Sequence, residues 1–402
     1  MTTAVLRSEF LQRQKLAAED AAGRGLDGLL VWSTGGSALD GYSNVFYLTN
    51  HYTQVPRVNL DIPGVMSGWG QTALLVPATR ESPTLIVESA DWRRDLVVAQ
   101  DVRESHDLVG EVISAIRDRG LSTASMGLAG QSVMPASTWQ RITTELPGLR
   151  LVDADEILYG HRMIKSPAEI ELMRRASSVG AAIQNAMMAA AAVGKTDNDL
   201  AREAYRVCLD QGAVPYEFAF ASGPAGGHGY WSRLPAWDRK RKYERGDIVH
   251  PDAYGCVDGY FYDLQRTKVI GGPSAAQRRI IEGVVGVVEA LCDACRAGTP
   301  VADVANLRES WLADHGLLPE APPLPSGDLL TPLVASGHGL GTGFEMPWVY
   351  PGSEDILRPG MTIALEVYLS EPGLGSVVNE EVILVTESEP EILTSACPAR
   401  QW

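Results

Sequence analysis

Asp252, Asp263, His338, Glu366 and Glu380 are a donor set that suits hard divalent cations. Each stands in a strand-like run or beside a glycine-rich turn, where a scaffold can aim a short side chain at an ion. Four carboxylates and one imidazole bring together more negative charge than a monovalent ion or a lone water balances. Two divalent cations sharing bridging carboxylates do balance it. The expected cofactor is therefore two divalent metal ions. Carboxylate-rich donors with one His suit Mn, Fe or Co, and Zn remains open.

The segments carrying these residues have their own logic. In Gly246–Gly255 an apolar strand ends on Asp252. Val257-Asp258-Gly259 then turns and Tyr260–Thr267 returns, a hairpin signalled by Asp-Gly. Asp263 stands among aromatic strand formers, where a buried carboxylate needs a partner and a metal is the strongest one. The plain alternative pairs Asp263 with Arg266 and makes Asp252 a turn cap. Glycines crowd around His338 in Ser336–Gly343, and without a Cβ they permit close approach to a packed centre; a flexible loop fits the same run. The run Gly360–Leu369 is nearly all apolar apart from Glu366, and Val377–Val385 embeds its acids in the same way. Glu380 and Glu381 point to opposite faces of their strand, so only one reaches the centre. A salt bridge explains one isolated acid in an apolar strand, but not four with a glycine-flanked His.

Positioning these residues needs sheets braced by helices. To about Asp155 the chain alternates short apolar runs of strand length with helical patterns. The strand-like runs are Gly28–Trp32, Val45–Leu48, Thr72–Val76 and Thr84–Val87, and the helices include Glu9–Ala22 and Val109–Arg119. This predicts an α/β domain. The stretch Thr49–Gln71 is longer than a compact domain needs and is a candidate functional loop. Ser166-Pro167-Ala168-Glu169 reads as a capping box opening a helix over Ala168–Ala192, with an apolar stripe of Ile170, Met173, Ala176, Val179, Ile183 and Met187. Further helices are expected from Asp197 and over Ala275–Arg296. Helices on one side of a mostly antiparallel sheet make an α+β layout. The expected domains are 1–160 and 161–402.

At 402 residues the chain is long for one core, which supports two domains. A formal net charge of −16 argues against nucleic acid, whose phosphates call for a basic face, and leaves a cationic or neutral small substrate open. No apolar run is long enough to span a bilayer, so no membrane partner is expected. Met1–Arg7 lacks the pattern of a secretory leader. The five cysteines are an odd number at irregular places, which suits a reducing cytoplasm. Cys292 and Cys295 form a lone C-x-x-C in a helical pattern and are expected to be buried structural thiols.

From about Lys165 to its end the chain resembles the creatinase/aminopeptidase P/methionine aminopeptidase superfamily, whose fold is the pita bread. The matching pieces are Asp252-x-x-Gly255, Gly259-Tyr260-x-x-Asp263-x-x-Arg266-Thr267, Gly337-His338-Gly339-x-Gly341, Pro359-Gly360-Met361 leading to Glu366, and Glu380 before Val382–Thr386. The first part resembles the smaller creatinase-type N-terminal α/β domain, and Arg162–Pro167 resembles the junction. The resemblance implies that the five residues are metal ligands, with Asp263 and Glu380 bridging two ions. It implies that Glu366 doubles as the acid/base for a bridging water. His228 occupies the place of the family's substrate-binding histidine, and a His on a Gly-rich loop near a metal suits proton transfer or oxyanion stabilisation. A plain loop residue is the alternative for His228.

One position departs from the family. Glu345 stands seven residues beyond His338, where these peptidases and creatinases carry a second histidine. An ionised carboxylate cannot donate to an oxyanion. Glu345 there resembles the dimethylsulfoniopropionate lyase branch and would favour a cationic substrate or add a metal ligand; a surface position is the plain alternative. Tyr230, Trp231, Trp237, Tyr260, Tyr262, Trp348, Tyr350 and Tyr368 crowd the motifs, mainly as strand and core residues, though a few would seat an onium or guanidinium group. Creatinase-like dimers imply that Thr49–Gln71, with His51, Tyr52, Arg57 and Trp69, reaches a partner's active site.

These features together predict a cytoplasmic homodimeric metallohydrolase that attacks a C–N bond with a metal-bridged hydroxide. Its substrate would be a dipeptide ending in proline or a creatine-like cationic amidine. The alternatives are a lyase removing a proton β to a cationic leaving group, and a non-catalytic binding protein.

Overall fold

The computed structural model describes residues 5–35, 41–53, 55–58, 60–79, 81–223, 238–317, 336–371 and 374–402. The chain divides into two compact units, Met1–Arg162 and Met163–Trp402.

The first unit runs α1 (Arg7–Gly23), β1 (Gly28–Thr34), α2 (Ser43–Thr49), β2 (Gln71–Pro77), β3 (Thr84–Val87), β4 (Asp101–Glu104), α3 (Leu108–Asp118), β5 (Ser125–Ala129), α4 (Ala136–Glu145), β6 (Arg150–Asp153) and α5 (Asp155–Met163). Its sheet has the order β4-β3-β2-β1-β5-β6. Strand alternation sends Leu30 and Trp32 of β1 to the layer containing α3 and α4, and Leu29 and Val31 to the layer containing α1, α2 and α5. Both faces are covered, which explains why β1 and β2 are apolar along nearly their whole length.

One expectation fails here. Val45–Leu48 is not a strand but the middle of helix α2, which Asn50 closes in the left-handed conformation with φ 59°. A four-residue apolar run carries no period that separates a buried strand from a buried helix. Within Thr49–Gln71 the chain makes the bridges Val58–Trp69 and Ile62–Met66, and leaves Val58, Leu60, Ile62, Val65 and Trp69 exposed. His51 is buried instead.

The second unit runs α6 (Pro167–Ala190), α7 (Asp197–Gln211), β7 (Val214–Gly223), β8 (Ile248–Val257), β9 (Tyr260–Gln265), β10 (Lys268–Val269), α8 (Ala275–Ala294), α9 (Val301–Asp314), β11 (Gly337–Leu340), β12 (Phe344–Trp348), β13 (Thr362–Glu371), β14 (Gly375–Leu384) and β15 (Glu391–Ile392). The expected capping box at α6 is present, with Ser166 and Glu169 bonded reciprocally. Two antiparallel sheets result. One has the order β10-β8-β7 with β9 also on β8, and the other has the order β12-β11-β13-β14-β15.

Helix α6 packs behind β8 and β9, and α8 packs behind β13 and β14. The close seat of α6 depends on Gly180, where a Cβ would lie 2.8 Å from the Cβ of Tyr262. On the other sheet, Ile363, Leu365 and Val367 of β13 and Val377 and Ile383 of β14 join the α8 residues Ile281, Val284 and Val288 in one core. Each sheet therefore has an outer face filled by a helix and an inner face turned to the other sheet, with β14 meeting β8 and β9. This is the predicted α+β layout. Among the described residues no helix is long and apolar enough to cross a membrane.

Candidate metal centre

The hairpin β8–β9 turns through Asp258 (φ 52°) and Gly259 (φ 85°), a two-residue loop with both residues left-handed. That geometry matches strand twist and fixes the pairing Val257–Tyr260 through Asp252–Gln265. Asp252 does not end its strand, contrary to expectation; β8 runs on to Val257. Pro251 falls in the gap between the β8 residues paired with β9 and those paired with β10, where a missing N–H is tolerated. Because Tyr262 faces α6, its neighbour Asp263 faces the other sheet. Asp263 lies opposite Tyr254, so Asp252 and His250 share that inner face.

The facing sheet completes the centre. Glu366 of β13 is paired directly with Glu380 of β14, and His338 of β11 with Ala364 of β13. Gly337 has φ 147°, and a Cβ there would sit 2.0 Å from the Ala364 carbonyl oxygen, so only glycine lets β11 approach β13 at this point. Ligand atoms of Asp263, His338 and Glu380 lie within 4.8 Å of one another, and all three residues are buried. The alternation argument for Glu380 and Glu381 is visible directly. Glu381 turns away to Arg266 Nη2 at 2.8 Å and to the Thr394 hydroxyl. Arg266 therefore does not neutralise Asp263, and the plain pairing considered for Asp263 is not the one formed.

Charge at this centre is poorly compensated by protein. Neither carboxylate oxygen of Glu380 has a hydrogen-bond partner among the described residues. Burial and repulsion from Asp252 and Glu366 hold Asp263 well above the ordinary carboxylate range. Burial and repulsion from Asp263, Glu366 and Asp252 do the same to Glu380. Burial pushes Glu366 up to about 7, against hydrogen bonds from Tyr368 and Gln265 and the charge of Arg308. Buried acids of this kind call for protons or for cations.

His338 is prepared for the second case. Burial pushes it down to about 4, so it is neutral near pH 7. Its Nδ1 lies 3.0 Å from the Gly339 carbonyl and must carry the hydrogen. Nε2, 3.7 Å from Asp263 Oδ2, is left with its lone pair toward the carboxylates, as a metal ligand requires. The donor set thus fits divalent metal.

A stability consequence follows. The raised carboxyls bind protons in the folded state that the unfolded chain has released. Their contribution is full below about pH 4 and is lost as pH rises through their folded values, near 7 for Glu366. In chelator, the melting temperature of the second unit is expected to fall between pH 5 and pH 8. Added divalent metal should restore it, most strongly at the upper end, as differential scanning fluorimetry at matched ionic strength would record.

The other anticipated residues are placed differently. His228, Tyr230, Trp231 and Trp237 lie outside the described residues. Glu345 is buried rather than on a surface, and its Oε1 is ion-paired with Lys165 Nζ, both side chains being 1% exposed. A carboxylate answered in this way is a poor counter-charge for a cationic substrate.

Two residues at the centre, Gln265 and His250, were not singled out from sequence, and Tyr368 was named only among the aromatics near the motifs. Gln265 donates from Nε2 to Glu366 Oε2 at 3.1 Å, and Tyr368 donates its hydroxyl to Gln265 Oε1 at 2.5 Å. His250, buried on the inner face, would have been legible by counting back two residues had the strand been run through Asp252.

Residues 171–387 match the metallopeptidase family M24, and residues 13–164 match the creatinase/prolidase N-terminal domain. The Xaa-Pro dipeptidase of Pyrococcus horikoshii is 27% identical over 320 residues, covering 79% of this chain and 85% of that one. The creatinase of a Bacillus species is 23% identical over 327 residues, covering 76% and 72%. The solved prolidase of Pyrococcus horikoshii OT3 matches with a TM-score of 0.76 at 21% identity, covering 95% of this chain and 98% of that one.

Proposed function

Because the chain belongs to metallopeptidase family M24, we propose that it is a metal-dependent hydrolase that cleaves a C–N bond in a small substrate, an Xaa-Pro dipeptide or a guanidino compound. The convergence of Asp263, His338 and Glu380 within 4.8 Å on two facing sheets supports this most directly. Asp252, Asp263, His338, Glu366 and Glu380 would hold two divalent ions, with manganese the first candidate. Ions bound there lower the pKa of water and polarise the acceptor carbon's substituent.

The chain's own residues supply orientation and proton transfer. Gln265 holds one oxygen of Glu366, leaving the other to take a proton from attacking water and pass it to the leaving nitrogen. Tyr368 fixes the Gln265 amide from behind. The Gly339 carbonyl fixes the His338 tautomer. His228 would contact substrate.

The exposed apolar residues of Thr49–Gln71 support a homodimer in which this stretch reaches a partner. Free, buried cysteines suit a cytoplasmic setting. Glu345 gives no support to an onium lyase, because Lys165 answers its charge.

Purified full-length protein is expected to carry divalent metal by elemental analysis. Loaded with manganese, it should release proline from Ala-Pro or urea from creatine, stop with chelator and recover on metal addition. An elimination product from an onium substrate, with neither hydrolysis, would overturn this assignment.

A further inference from the structure

We propose that the buried Lys165–Glu345 pair is a positioning device for the metal centre: it sets the register of the β11–β12 hairpin and thereby aims the His338 imidazole. This rests on the ligand role of His338 in the hydrolase reading above.

The hairpin is irregular. Leu340 lies opposite Phe344 and Gly339 opposite Glu345, but His338 lies opposite Trp348, so Met346 and Pro347 have no partner on β11. Extra residues on one strand fit a ladder in more than one way, and the ladder alone does not choose among them. His338 depends on that choice. Its ring lies against Phe344 and Trp348, with centroids 4.1 and 5.5 Å away, and those two residues stand on either side of the irregularity. Its Nδ1 is 3.0 Å from the carbonyl of Gly339, the residue that Glu345 faces across the ladder. A slip of β12 would take at least one ring from the imidazole.

The pair sits where it can forbid that slip. Glu345 points away from His338, because successive side chains alternate, and there its Oε1 is ion-paired with Lys165 Nζ, both side chains being 1% exposed. Lys165 is held independently of the hairpin. Its backbone N–H donates to the Gly360 carbonyl at 2.9 Å, at the entry to β13, and its Nζ also donates to the Met163 carbonyl at 3.4 Å. Gly341 closes the turn directly over the pair, since a Cβ there would lie 2.2 Å from Glu345 Oε1 and 3.0 Å from Lys165 Cε. The Gly341 carbonyl in turn accepts from the N–H of Phe261 at 2.8 Å, in the strand that carries Asp263. The pair therefore fastens β12 at the point where the strands bearing Asp263, His338 and Glu366 are tied together. One carboxylate and one ammonium match in a single register, whereas two apolar side chains tolerate a slip.

The test compares the full chain with Lys165→Met/Glu345→Leu, Lys165→Arg and Gly341→Ala, first metal-free and then with manganese. With isotope-labelled histidines, and His338→Gln to assign the signal, nuclear magnetic resonance of the metal-free parent near neutral pH should show His338 as one tautomer, protonated on Nδ1. The double variant should melt near the parent yet show mixed tautomers. It should also bind manganese about 10- to 100-fold more weakly, the usual cost of losing a group that orients a ligand. Lys165→Arg should keep the parent's tautomer and affinity. Gly341→Ala pushes aside only the flexible end of Glu345, so it displaces the pair without removing a charge and should shift His338 in the same direction. It decides the matter if the double variant does not fold.

A folded double variant with the parent's tautomer or affinity overturns the proposal, as does a Lys165→Arg variant that loses them or a parent with mixed tautomers. If the parent binds no manganese, the ligand role of His338 fails on its own, and the tautomers of the metal-free chains still decide whether the pair positions the ring.

Discussion

Asp263→Ala is expected to leave the protein without its metals and without measurable turnover. Asp263 sits within 4.8 Å of both His338 and Glu380 and feels the charges of Asp252 and Glu366 as well. Only Glu380 is placed comparably, close to Asp263 and His338 and feeling Asp252 and Glu366. Removing Asp263 leaves three acids and a neutral imidazole with one donor fewer and a gap between them.

The same substitution relieves repulsion in the metal-free chain. Asp263→Asn, which keeps the volume, should therefore melt higher than the parent in chelator, by about 2–4 °C for each kcal/mol relieved. Metal should no longer raise it further, since the stabilisation by ligand scales with occupancy. Elemental analysis after dialysis reads the first effect and scanning fluorimetry the second. Full metal occupancy in Asp263→Ala would remove Asp263 from the ligand set and with it the two-ion assignment.

Lys165→Met is expected to be the most destabilising single change away from the centre. It leaves Glu345 sealed in the interior at 1% side-chain exposure with its counter-charge gone. Breaking a buried pair from one side costs about 3–5 kcal/mol, because the remaining charge is stranded. The double variant Lys165→Met/Glu345→Leu should recover most of that loss, since replacing both partners by apolar groups is often near neutral. Urea unfolding of the parent, single and double variants gives the coupling directly. A single variant as stable as the parent would show that water reaches the pair and that the burial is not effective.

Much of the centre was legible before any coordinates, for a physical reason. Acids in apolar strands conflict with burial, and the residues that break a local rule are the ones a site uses. Asp263, Glu366 and Glu380 stood out on that ground, and the glycines around His338 anticipated the close approach of β11 to β13.

What was missed falls into two kinds. Val45–Leu48 was misjudged because a short apolar run has no readable period, and the end of β8 because the strand continues past its buried acid to Val257. The Lys165–Glu345 pair was invisible for a different reason. The paired residues lie 180 apart in the chain, and although Glu345 stood out, nothing local names Lys165 as its partner.

The doublet Glu380-Glu381 poses a problem of alignment that charge alone does not solve. If β14 slipped by one residue, an acid would still point inward, so the centre could assemble with the wrong glutamate. Arg266 forbids the error. Fully buried, it grips Glu381 Oε1 at 2.8 Å, the Cys397 carbonyl at 2.8 Å and the Pro398 carbonyl at 3.1 Å, and also bonds the Glu380 carbonyl. The last few residues of the chain, remote from any chemistry, therefore act as a latch that keeps a neighbouring strand in step, and trimming them would blur which glutamate faces inward.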